Sequence, residues 1–567
     1  MGFRHKIKVA LTIKFVLLGL YLALDHDAVL ARISSLGWSA ELGAFVILYG
    51  ALALALGAAA LTRPTSVRIA LAAILSVGSV VLHSYEWATG DPLVYEAFET
   101  MVASQGDAPD AIAQHGGTLL QAIFAGTILF TAIALPTSRM ALPYGLGLIV
   151  PGLTVIALAG LLFLRGGEGA RALPAPFSPL AQGAIMAALK ALEDEKPRQV
   201  VTFTPGPAVV AGDVVLVVDE SVSANYLDIN NRGGVHSGLA QSRSGLALAN
   251  FGIAASVANC SSGTNRTLRF GGTRNTYREA AEEMPSIWAY SRSAGRRTVY
   301  LDGQRQEGEL HNLMTVGEAS EIDDFVQLGD KPVMERDHEL ARILGDRLNN
   351  GVAEFIMVNK VGAHFPVADK FPLSAAVYRP LPPRGRTIGI TDIGSLPGEE
   401  AETQEEWRRY RNAYRNTVAW NTGGFFDLLL PRAANTDSVI VYTADHGQDL
   451  QERGVAGGST HCSADPRAEE GAVPLVVIAD SSTKIDWMAH ASANFDSVSH
   501  FRIFPTLLAL LGYGPEQTAN FYGPTLQSSE KDPLTFTSRY NASLGRQPTW
   551  HQVDRDRLAV PPVTDHR

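Results

Sequence analysis

The stretch "DVVLVVDES" (residues 213–221) places five apolar residues directly before two carboxylates. A short apolar run bounded by polar residues is typical of a strand buried on both faces, as in parallel sheets. Helical patterns occur at 405–430 and 499–511. The chain after about residue 212 is therefore predicted to form an α/β domain with a mostly parallel central sheet. Four further stretches have the same form as the first: "RRTVYLDG" (296–303), "AEFIMVNKVG" (353–362), "DSVIVYTADHG" (437–447) and "AVPLVVIAD" (472–480).

The first 165 residues have a different composition. Across the whole chain 46% of residues are hydrophobic and only 18% are charged, which favours a membrane protein. A helix needs about 20 apolar residues to cross a bilayer core of ~30 Å. We therefore predict a five-helix N-terminal transmembrane domain, with buried core helices or a cleaved signal peptide as the alternatives. The five apolar runs are 8–24, 43–62, 67–83, 118–135 and 143–164.

The basic residues of this region predict its orientation. Those near the chain start and in two of the joints are Arg4, Lys6, Lys8, Arg63, Arg68 and Arg139, whereas the other two joints are acidic or neutral. Positive loops stay in the cytoplasm. The chain is thus predicted to be a multi-pass protein of a bacterial inner membrane with a periplasmic catalytic domain. The predicted divisions are a membrane domain at 1–165, a linker with a bridging helix at 166–211, and the catalytic domain at 212–567.

Chemically active side chains follow the predicted strands. Because the carboxyl ends of parallel strands meet at one sheet edge, these side chains are expected to converge there. Carboxylates and imidazoles are ligands that suit Zn²⁺, with Mn²⁺ as the alternative. A turn at the end of a strand is the alternative interpretation of each motif taken alone. The residues concerned are Asp219, Glu220, His364, Asp445, His446 and His461.

The stretch "NCSSGTNRT" (residues 259–267) is rich in hydroxyl groups and has no large apolar residue. A hydroxyl bound to the metal at a helix N-terminus would be an activated nucleophile. The N–H groups of such a helix end would also stabilise a phosphate or sulfate. Composition alone leaves four candidates: Ser261, Ser262, Thr264 and Thr267.

These motifs, in this order, resemble the lipid A phosphoethanolamine transferases of the alkaline-phosphatase/sulfatase superfamily. "VVLVVDES" is similar to that family's "VVLVVGET", and "NCSSGTNRT" aligns without gaps on its nucleophile segment "SCGTxTAxS". "GAHFPVADKFP" (362–372) and "ADHGQDLQERGVAGGSTH" (444–461) resemble its two histidine motifs. The resemblance implies a mostly parallel sheet, membrane helices and a divalent metal.

The resemblance also implies roles for single residues. Thr264 falls on the family's catalytic threonine and would join Glu220, Asp445 and His446 around the metal, with Asp219 as a further candidate ligand. His461 and His364 would contact the phosphate or protonate leaving groups. The substrate-binding residues implied are Asn265, Arg266, Lys360, Glu96 and Thr100.

Several positions depart from the family pattern. Asp219 replaces a glycine, and Asn359 stands where the family has histidine. The family's lipid-contacting Asn–x₃–Thr–x₃–Glu becomes Glu96–x₃–Thr100–x₃–Ser104. These changes leave the transferred head group and its acceptor open.

The implied reaction moves phosphoethanolamine from a membrane phospholipid, through a phospho-threonine, to an outer-leaflet lipid or glycan. A phosphoglycerol transferase and a membrane-bound phosphodiesterase or sulfatase are the alternatives, and a non-catalytic sensor is another. Sulfatases use Cys/Ser–x–Pro–x–Arg, whereas residues 262–266 lack the proline. A monomer without a nucleic-acid partner is expected.

The two cysteines stand next to the proposed nucleophile and the proposed phosphate contact. If Thr264 and His461 both reach one phosphate, Cys260 and Cys462 come within the ~4.4–6.8 Å between Cα atoms that a disulfide requires. An oxidising compartment would preserve that bond. A Cys260–Cys462 disulfide is therefore predicted, with two buried free thiols as the alternative.

Overall fold

The computed structural model describes residues 2–90, 92–103, 108–137, 142–192, 197–384, 404–453, 460–463, 465–481, 483–538 and 540–559. Arg139 and Ser104 lie outside these ranges. The chain divides into two compact units. The first comprises 1–194 with 540–547, and the second comprises 195–539 with 548–567.

The first unit is helical. Among its described residues, four helices are long and apolar enough to cross a membrane: Ala40–Leu61, Thr65–Thr89, His115–Ala134 and Gly145–Leu164. The first predicted run lies in a helix whose described apolar part, Leu11–Ala23, is shorter, so the predicted count of five is not confirmed. The helices of this unit are α1 (Gly2–Ala23), α2 (His26–Leu36), α3 (Ala40–Leu61), α4 (Thr65–Thr89), α5 (Tyr95–Ala103), α6 (Ala108–Ala134), α7 (Tyr144–Leu164) and α8 (Phe177–Leu192).

Two buried cations stabilise one end of this helix bundle. The Lys14 Nζ donates to the carbonyl of Ala60 at 2.6 Å and to that of Ile133 at 2.9 Å. Arg68 donates to the carbonyls of Thr62 at 3.0 Å and Ala134 at 3.3 Å. The last carbonyls of a helix have no partner within the helix and carry the negative end of its dipole. Buried cations at the ends of α3 and α6 therefore satisfy groups that would otherwise be costly in an apolar layer.

The second unit is built on a seven-stranded sheet in the order β2-β7-β6-β1-β5-β3-β4. Its strands and those of a separate hairpin are β1 (Val214–Asp219), β2 (Leu246–Ala255), β3 (Arg297–Asp302), β4 (Asp324–Gln327), β5 (Glu354–Asn359), β6 (Val439–Ala444), β7 (Ala472–Asp480), β8 (Thr535–Thr537) and β9 (Trp550–Gln552). Its helices are α9 (Ser261–Phe270), α10 (Tyr277–Glu283), α11 (Ile287–Ser293), α12 (Val316–Ala319), α13 (Val333–Arg347), α14 (Gln404–Val418), α15 (Gly424–Ala433), α16 (Ala468–Gly471), α17 (Trp487–Ala493), α18 (Ile503–Leu510) and α19 (Pro515–Tyr522).

The prediction of a mostly parallel sheet is confirmed. β1 pairs in parallel with β5 and β6, and β3 pairs in parallel with β4 and β5. β7 runs antiparallel to β6 and to β2. All five strands expected from apolar runs are present. β2 was not predicted, because a bulge between Asn250 and Ile253 interrupts its apolar pattern at the edge of the sheet.

The sheet separates two apolar cores. Val214, Leu216 and Val218 of β1 lie in one core, and Val215 and Val217 lie in the other. Successive side chains of a strand point to opposite faces, so a strand covered on both sides must be apolar throughout. This explains why β1 is an unbroken apolar run that ends where the sheet ends.

The turn after β5 packs closely against the turn after β1. Gly362 has a φ of +56°, and a Cβ there would lie 2.4 Å from the main-chain oxygen of Glu220 and 2.6 Å from its nitrogen. Only glycine fits such a close approach of two backbones. Gly362 thereby allows the polar ends of the two strands to meet.

Replacing Gly362 by alanine is expected to destabilise the second unit more than the same change at Gly351. Both glycines have positive φ, which costs alanine about 1–2 kcal/mol. Nothing described lies within 4 Å of a Cβ at Gly351, whereas the clash at Gly362 adds overpacking of about 1–3 kcal/mol. Thermal melting of both full-length variants in detergent measures the difference. Equal melting temperatures for G362A and G351A would contradict this account.

Candidate active site and metal centre

Three buried side chains converge at the carboxyl edge of the sheet. Glu220 follows β1, and Asp445 and His446 follow the neighbouring parallel strand β6. One ligand atom from each of the three lies within 4.8 Å of the others. Asp219 of β1 is paired with Ala444 of β6, and this is the last pair of the two strands. The next residues, Glu220 and Asp445, therefore lie side by side.

Hydrogen bonds fix the orientation of these ligand atoms. Asp445 Oδ1 accepts from the main-chain N–H of Ser221 at 2.9 Å and of His446 at 2.8 Å. His446 Nδ1 donates to the carbonyl of Gly447 at 2.8 Å, because a carbonyl can only accept. Its Nε2 then faces Glu220 Oε1 at 3.4 Å. A backbone carbonyl on the second ring nitrogen is the usual arrangement of a metal-binding histidine.

The electrostatics of the trio favour a cation. Burial, followed by the charge of Glu220, raises the pKa of Asp445 to about 8. Burial acts against the charge of His446, but Asp445 and Glu220 outweigh it and raise the pKa of His446 to about 9. The two carboxylates thus attract positive charge to the point where they meet. A set of two carboxylate oxygens and one imidazole nitrogen fits a divalent ion such as zinc.

A hydroxyl lies against the trio, and it belongs to Ser261. Its Oγ donates to Glu220 Oε1 at 3.0 Å and lies 3.2 Å from His446 Nε2. Ser261 is the first residue of α9, which follows Cys260 in extended conformation. Its side chain therefore stands at the N-terminus of a ten-residue helix.

Thr264, the predicted nucleophile, is placed differently. Its side chain is fully buried, and its Oγ1 donates to the carbonyl of Ala258 at 3.2 Å and accepts from the Ala258 N–H at 3.1 Å. These contacts hold the loop that precedes α9. The predicted role of the Thr264 hydroxyl as metal ligand and nucleophile stays a prediction.

The next two residues of α9 also differ in their placement. Asn265 Nδ2 lies 3.5 Å from Asp445 Oδ2 and donates to the carbonyl of Ser261 at 3.1 Å, so Asn265 is part of the site. Arg266 instead donates to the carbonyl of Ala281 at 3.2 Å, in α10. Its predicted position beside the transferred group is therefore not found.

Two further histidines lie near His446, and their predicted contact with the phosphate stays a prediction. The ring of His461 stacks on that of His446 with centroids 4.6 Å apart, and the ring of His364 lies 6.0 Å from that of His461. His364 Nδ1 donates to the carbonyl of Phe365 at 2.7 Å, so Nε2 is the basic nitrogen of the neutral ring. The three imidazoles line one side of the carboxylate pair.

Asp219 and Lys360 form an ion pair of their own. Lys360 Nζ donates to Asp219 Oδ2 at 2.8 Å, and Thr422 and Tyr442 donate to the same oxygen at 2.8 and 3.1 Å. Asp219 and Lys360 are fully buried. Asp219 is thus directed away from its neighbour Glu220, since adjacent strand residues point to opposite faces. The predicted roles of Asp219 as a metal ligand and of Lys360 in substrate binding are corrected by this pairing.

The sequence analysis missed Gln304. Its Nε2 lies 3.3 Å from Glu220 Oε2 and from Asn359 Oδ1, and 2.7 Å from the carbonyl of Lys360. Gln304 follows β3, so the rule that polar residues after parallel strands meet at one edge would have included it. Asn359, at the family's histidine position, donates to Asp302 at 3.0 Å and so connects β5 to β3.

Glu96 and Thr100 belong to the first unit and lie on α5. The Glu96 N–H donates to Asn541 Oδ1 at 2.7 Å, and the Thr100 hydroxyl donates to the carbonyl of Glu96 at 2.9 Å. Their predicted contact with lipid stays a prediction.

The loops that carry Ser261 and His461 are joined by a disulfide and by hydrogen bonds. Cys260 and Cys462 form a disulfide with Cα atoms 4.9 Å apart, as predicted. Buried Glu470 accepts from Asn259 Nδ2 at 2.8 Å and from the Ser463 hydroxyl at 2.6 Å. Residues about two hundred positions apart in the chain are thereby held beside the same carboxylates.

A set of metal ligands beside a helix N-terminus suits chemistry on an anionic phosphate or sulfate group. Residues 213–513 match the family model described as Sulfatase, which is more than half of the chain. The chain belongs to the sulfatase family.

Solved structures are similar to this chain, and the first of them shares its fold. The integral membrane protein lipooligosaccharide phosphoethanolamine transferase A from Neisseria meningitidis is similar with a TM-score of 0.60 and 16% identity, over 88% of this chain and 95% of that one. The C-terminal periplasmic domain of EcEptC from Escherichia coli in complex with Zn gives 0.48 and 14%, over 65% and 98%. The soluble domain of the Neisseria protein gives 0.43 and 19%, over 56% and 94%. No curated protein matches the chain.

Removal of one ligand is expected to remove the metal. E220Q and D445N each lose a negative charge from the trio, so zinc retained after dialysis should fall below about a tenth of the wild-type content. D219N is the matched control, because its side chain points to the other face of β1. Metal analysis of the three purified variants measures the result. Full zinc content in E220Q or D445N would contradict the proposed ligand set.

The disulfide is expected to hold the active-site loops together. It closes a loop with a sequence separation of 202, for which the chain-entropy model gives about 5 kcal/mol of stabilisation. The double variant C260S/C462S should therefore melt at lower temperature, and its activity should fall while the protein is still folded. Thiol labelling is the control, since the unreduced denatured protein should show no free cysteine. Two labelled thiols, or wild-type activity in the double variant, would exclude this role.

Proposed function

We propose that this protein transfers phosphoethanolamine from a membrane phospholipid to an outer-leaflet or periplasmic lipid or glycan, with Ser261 as the nucleophile. The observation that carries the proposal is the position of the Ser261 hydroxyl between Glu220 and His446. A membrane unit with four apolar helices supports lipid substrates. The fold shared with a phosphoethanolamine transferase along most of the chain supports the same reaction class.

The helix N-terminus favours a phosphate beside Ser261. The first N–H groups of α9 have no acceptor within the helix, and the positive end of the helix dipole lies there. A phosphodiester placed against Ser261 would accept hydrogen bonds from these groups. The same contacts strengthen when negative charge builds up on the phosphate during attack.

Zinc is the metal we propose, held by Glu220, Asp445 and His446 with the Ser261 oxygen next to them. A zinc ion there would neutralise phosphate charge and would lower the pKa of a neighbouring hydroxyl. Manganese is the alternative that the donor set allows.

The reaction has two steps on Ser261. In the first, the Ser261 hydroxyl gives up its proton, its oxygen forms a bond to phosphorus, the bond from phosphorus to the diacylglycerol oxygen breaks, and that oxygen takes up a proton. In the second, an acceptor hydroxyl, which gives up its proton, or an acceptor phosphate oxygen attacks the same phosphorus, and Ser261 leaves with a proton. His461 and His364 are the imidazoles that give and take these protons near neutral pH.

The orientation predicted by the basic residues supports a periplasmic catalytic domain. We propose a multi-pass bacterial inner-membrane enzyme, active as a monomer, with its catalytic domain at about 212–567 in the periplasm. Glu96 and Thr100 are proposed to contact lipid, and Asn265 to orient Asp445. Holding the site beside a bilayer raises the effective concentration of its substrates.

Changing Ser261 to alanine is expected to abolish transfer without unfolding the protein. Loss of the nucleophile should lower turnover at least about 10³-fold, as for other covalent catalysts. S262A is the matched control, because it removes the adjacent hydroxyl. T264S is a second control that keeps the hydroxyl bonded to Ala258. Turnover is measured with a fluorescent phosphatidylethanolamine.

Mass spectrometry of the peptide containing Ser261 identifies the transferred group. A phosphoethanolamine adduct on Ser261 would support the proposal, and a phosphoglycerol adduct would show the alternative transferase. Normal turnover in S261A with loss of turnover in T264A would restore Thr264 as the nucleophile.

A further inference from the structure

A chain of hydrogen bonds crosses the first unit and ends on Asp25. The Tyr21 hydroxyl donates to Ser79 Oγ at 2.7 Å, and Ser79 Oγ lies 3.2 Å from His83 Nδ1. His83 Nε2 lies 3.1 Å from Asp25 Oδ2. Since a carboxylate only accepts, Nε2 carries the proton and Nδ1 accepts from Ser79. Tyr21, Ser79 and His83 thus form a row of donors, and the last of them holds the Asp25 carboxylate just after the end of α1.

Asp25 differs from an ordinary helix-capping residue. It occupies the N-cap position of α2, but its side chain makes no cap hydrogen bond. Its side chain keeps 21% of its surface exposed, whereas that of His83 is 1% exposed. Polar and ionisable groups inside a membrane domain are expensive and are usually retained for function.

An apolar groove begins next to this carboxylate. It has a volume of about 410 Å³ and is lined by Leu24, Trp87, Leu120, Gln121, Phe124 and Ala125. Cavities of roughly 300–1,000 Å³ hold small ligands. The groove therefore has room for an apolar chain but offers it almost no polar partner.

The groove and the hydrogen-bond chain share residues. Leu24 directly precedes Asp25 in sequence, and the Trp87 ring stacks on the His83 ring with centroids 4.4 Å apart. Asp25 is therefore the residue next to one groove-lining residue and is hydrogen-bonded to the histidine on which another, Trp87, stacks. A carboxylate and an indole together are the groups that bind an ammonium ion.

The other charged groups at this place are mostly negative. Glu86 precedes Trp87, is partly buried and accepts from the Leu93 N–H at 3.1 Å. Asp27 lies nearby in an exposed pair with His26. Arg171 is the cation that acts on Glu86. An anionic head group would meet net repulsion here, whereas an ammonium group would be attracted.

We propose that this groove is a binding site for an ethanolamine phospholipid, with one acyl chain along the groove and the ammonium group at Asp25. The inference deepens the proposed function, on which it rests for the fate of the lipid, by placing recognition of the donor's head group in the membrane unit. It involves different residues from Glu96 and Thr100. Selection by charge at Asp25 disfavours phosphatidylglycerol, which has no ammonium group.

Lipid retention by the inactive S261A protein tests the proposal without turnover. The full-length protein in detergent is titrated with palmitoyl-oleoyl phosphatidylethanolamine or the matching phosphatidylglycerol, and bound lipid is counted by native mass spectrometry. We expect about tenfold tighter binding of the ethanolamine lipid, because a desolvated ammonium–carboxylate contact is strong. D25N in the same background should reduce that preference to less than about twofold, since the amide keeps the shape but not the charge.

A second pair of variants tests the groove itself. L120W fills the groove and should weaken binding of both lipids, whereas L153W, on α7 and similarly exposed, should not. Equal binding of the two lipids by S261A, or an unchanged preference in D25N, would leave the hydrogen-bond chain a structural role only and overturn the proposal. If D25N does not fold, unchanged binding in L120W overturns it. A Ser261 phosphoglycerol adduct together with selective ethanolamine-lipid binding would instead refute the proposed function and leave the site standing.

Discussion

Two buried carboxylates, Glu220 and Asp445, lie side by side and repel each other. The contacts around them in the second unit compensate that repulsion. Like charges in a low-dielectric interior are costly unless a cation or several hydrogen bonds compensate them. Here the N–H groups of Ser221 and His446 bind Asp445, while Ser261 and Gln304 donate to Glu220. The charge that remains raises the pKa of His446. A site that stabilises positive charge so strongly is prepared for a divalent metal.

The start of one helix decides which hydroxyl lies against the carboxylates. Ser261 and Thr264 are three residues apart, so they lie on neighbouring turns of the same helix face. Because α9 starts at Ser261, the first hydroxyl reaches Glu220 and the second is buried against Ala258. The disulfide and Glu470 hold this start in place from the His461 loop. A sequence alignment without gaps matches residue types, but it does not show at which residue a helix begins.

The membrane unit satisfies its polar groups in two ways. At one end, Lys14 and Arg68 donate to the last carbonyls of α3 and α6. Near the ends of α1 and α4, a chain of hydrogen bonds runs from Tyr21 through Ser79 and His83 to Asp25. The first arrangement completes helix termini and needs no ligand. The second leaves a partly exposed carboxylate beside an apolar groove, which is why we assign it a ligand.

The sequence by itself determined the α/β class, the apolar N-terminal helices and the convergence of Glu220, Asp445, His446, His364 and His461. The hydrophobic periodicity of each element is a local property of the sequence. The carboxyl ends of parallel strands must also lie at one edge of the sheet, so both predictions can be made without a structure. The sequence did not determine the directions of single side chains. Asp219 and Glu220 are adjacent letters, yet only Glu220 faces the site, while Asp219 pairs with Lys360 on the other face. Arg266 and Thr264 likewise turn to Ala281 and Ala258, and Ser261 and Gln304 enter the site. Only the tertiary structure decided these contacts, because they depend on where each strand and helix ends against its neighbours.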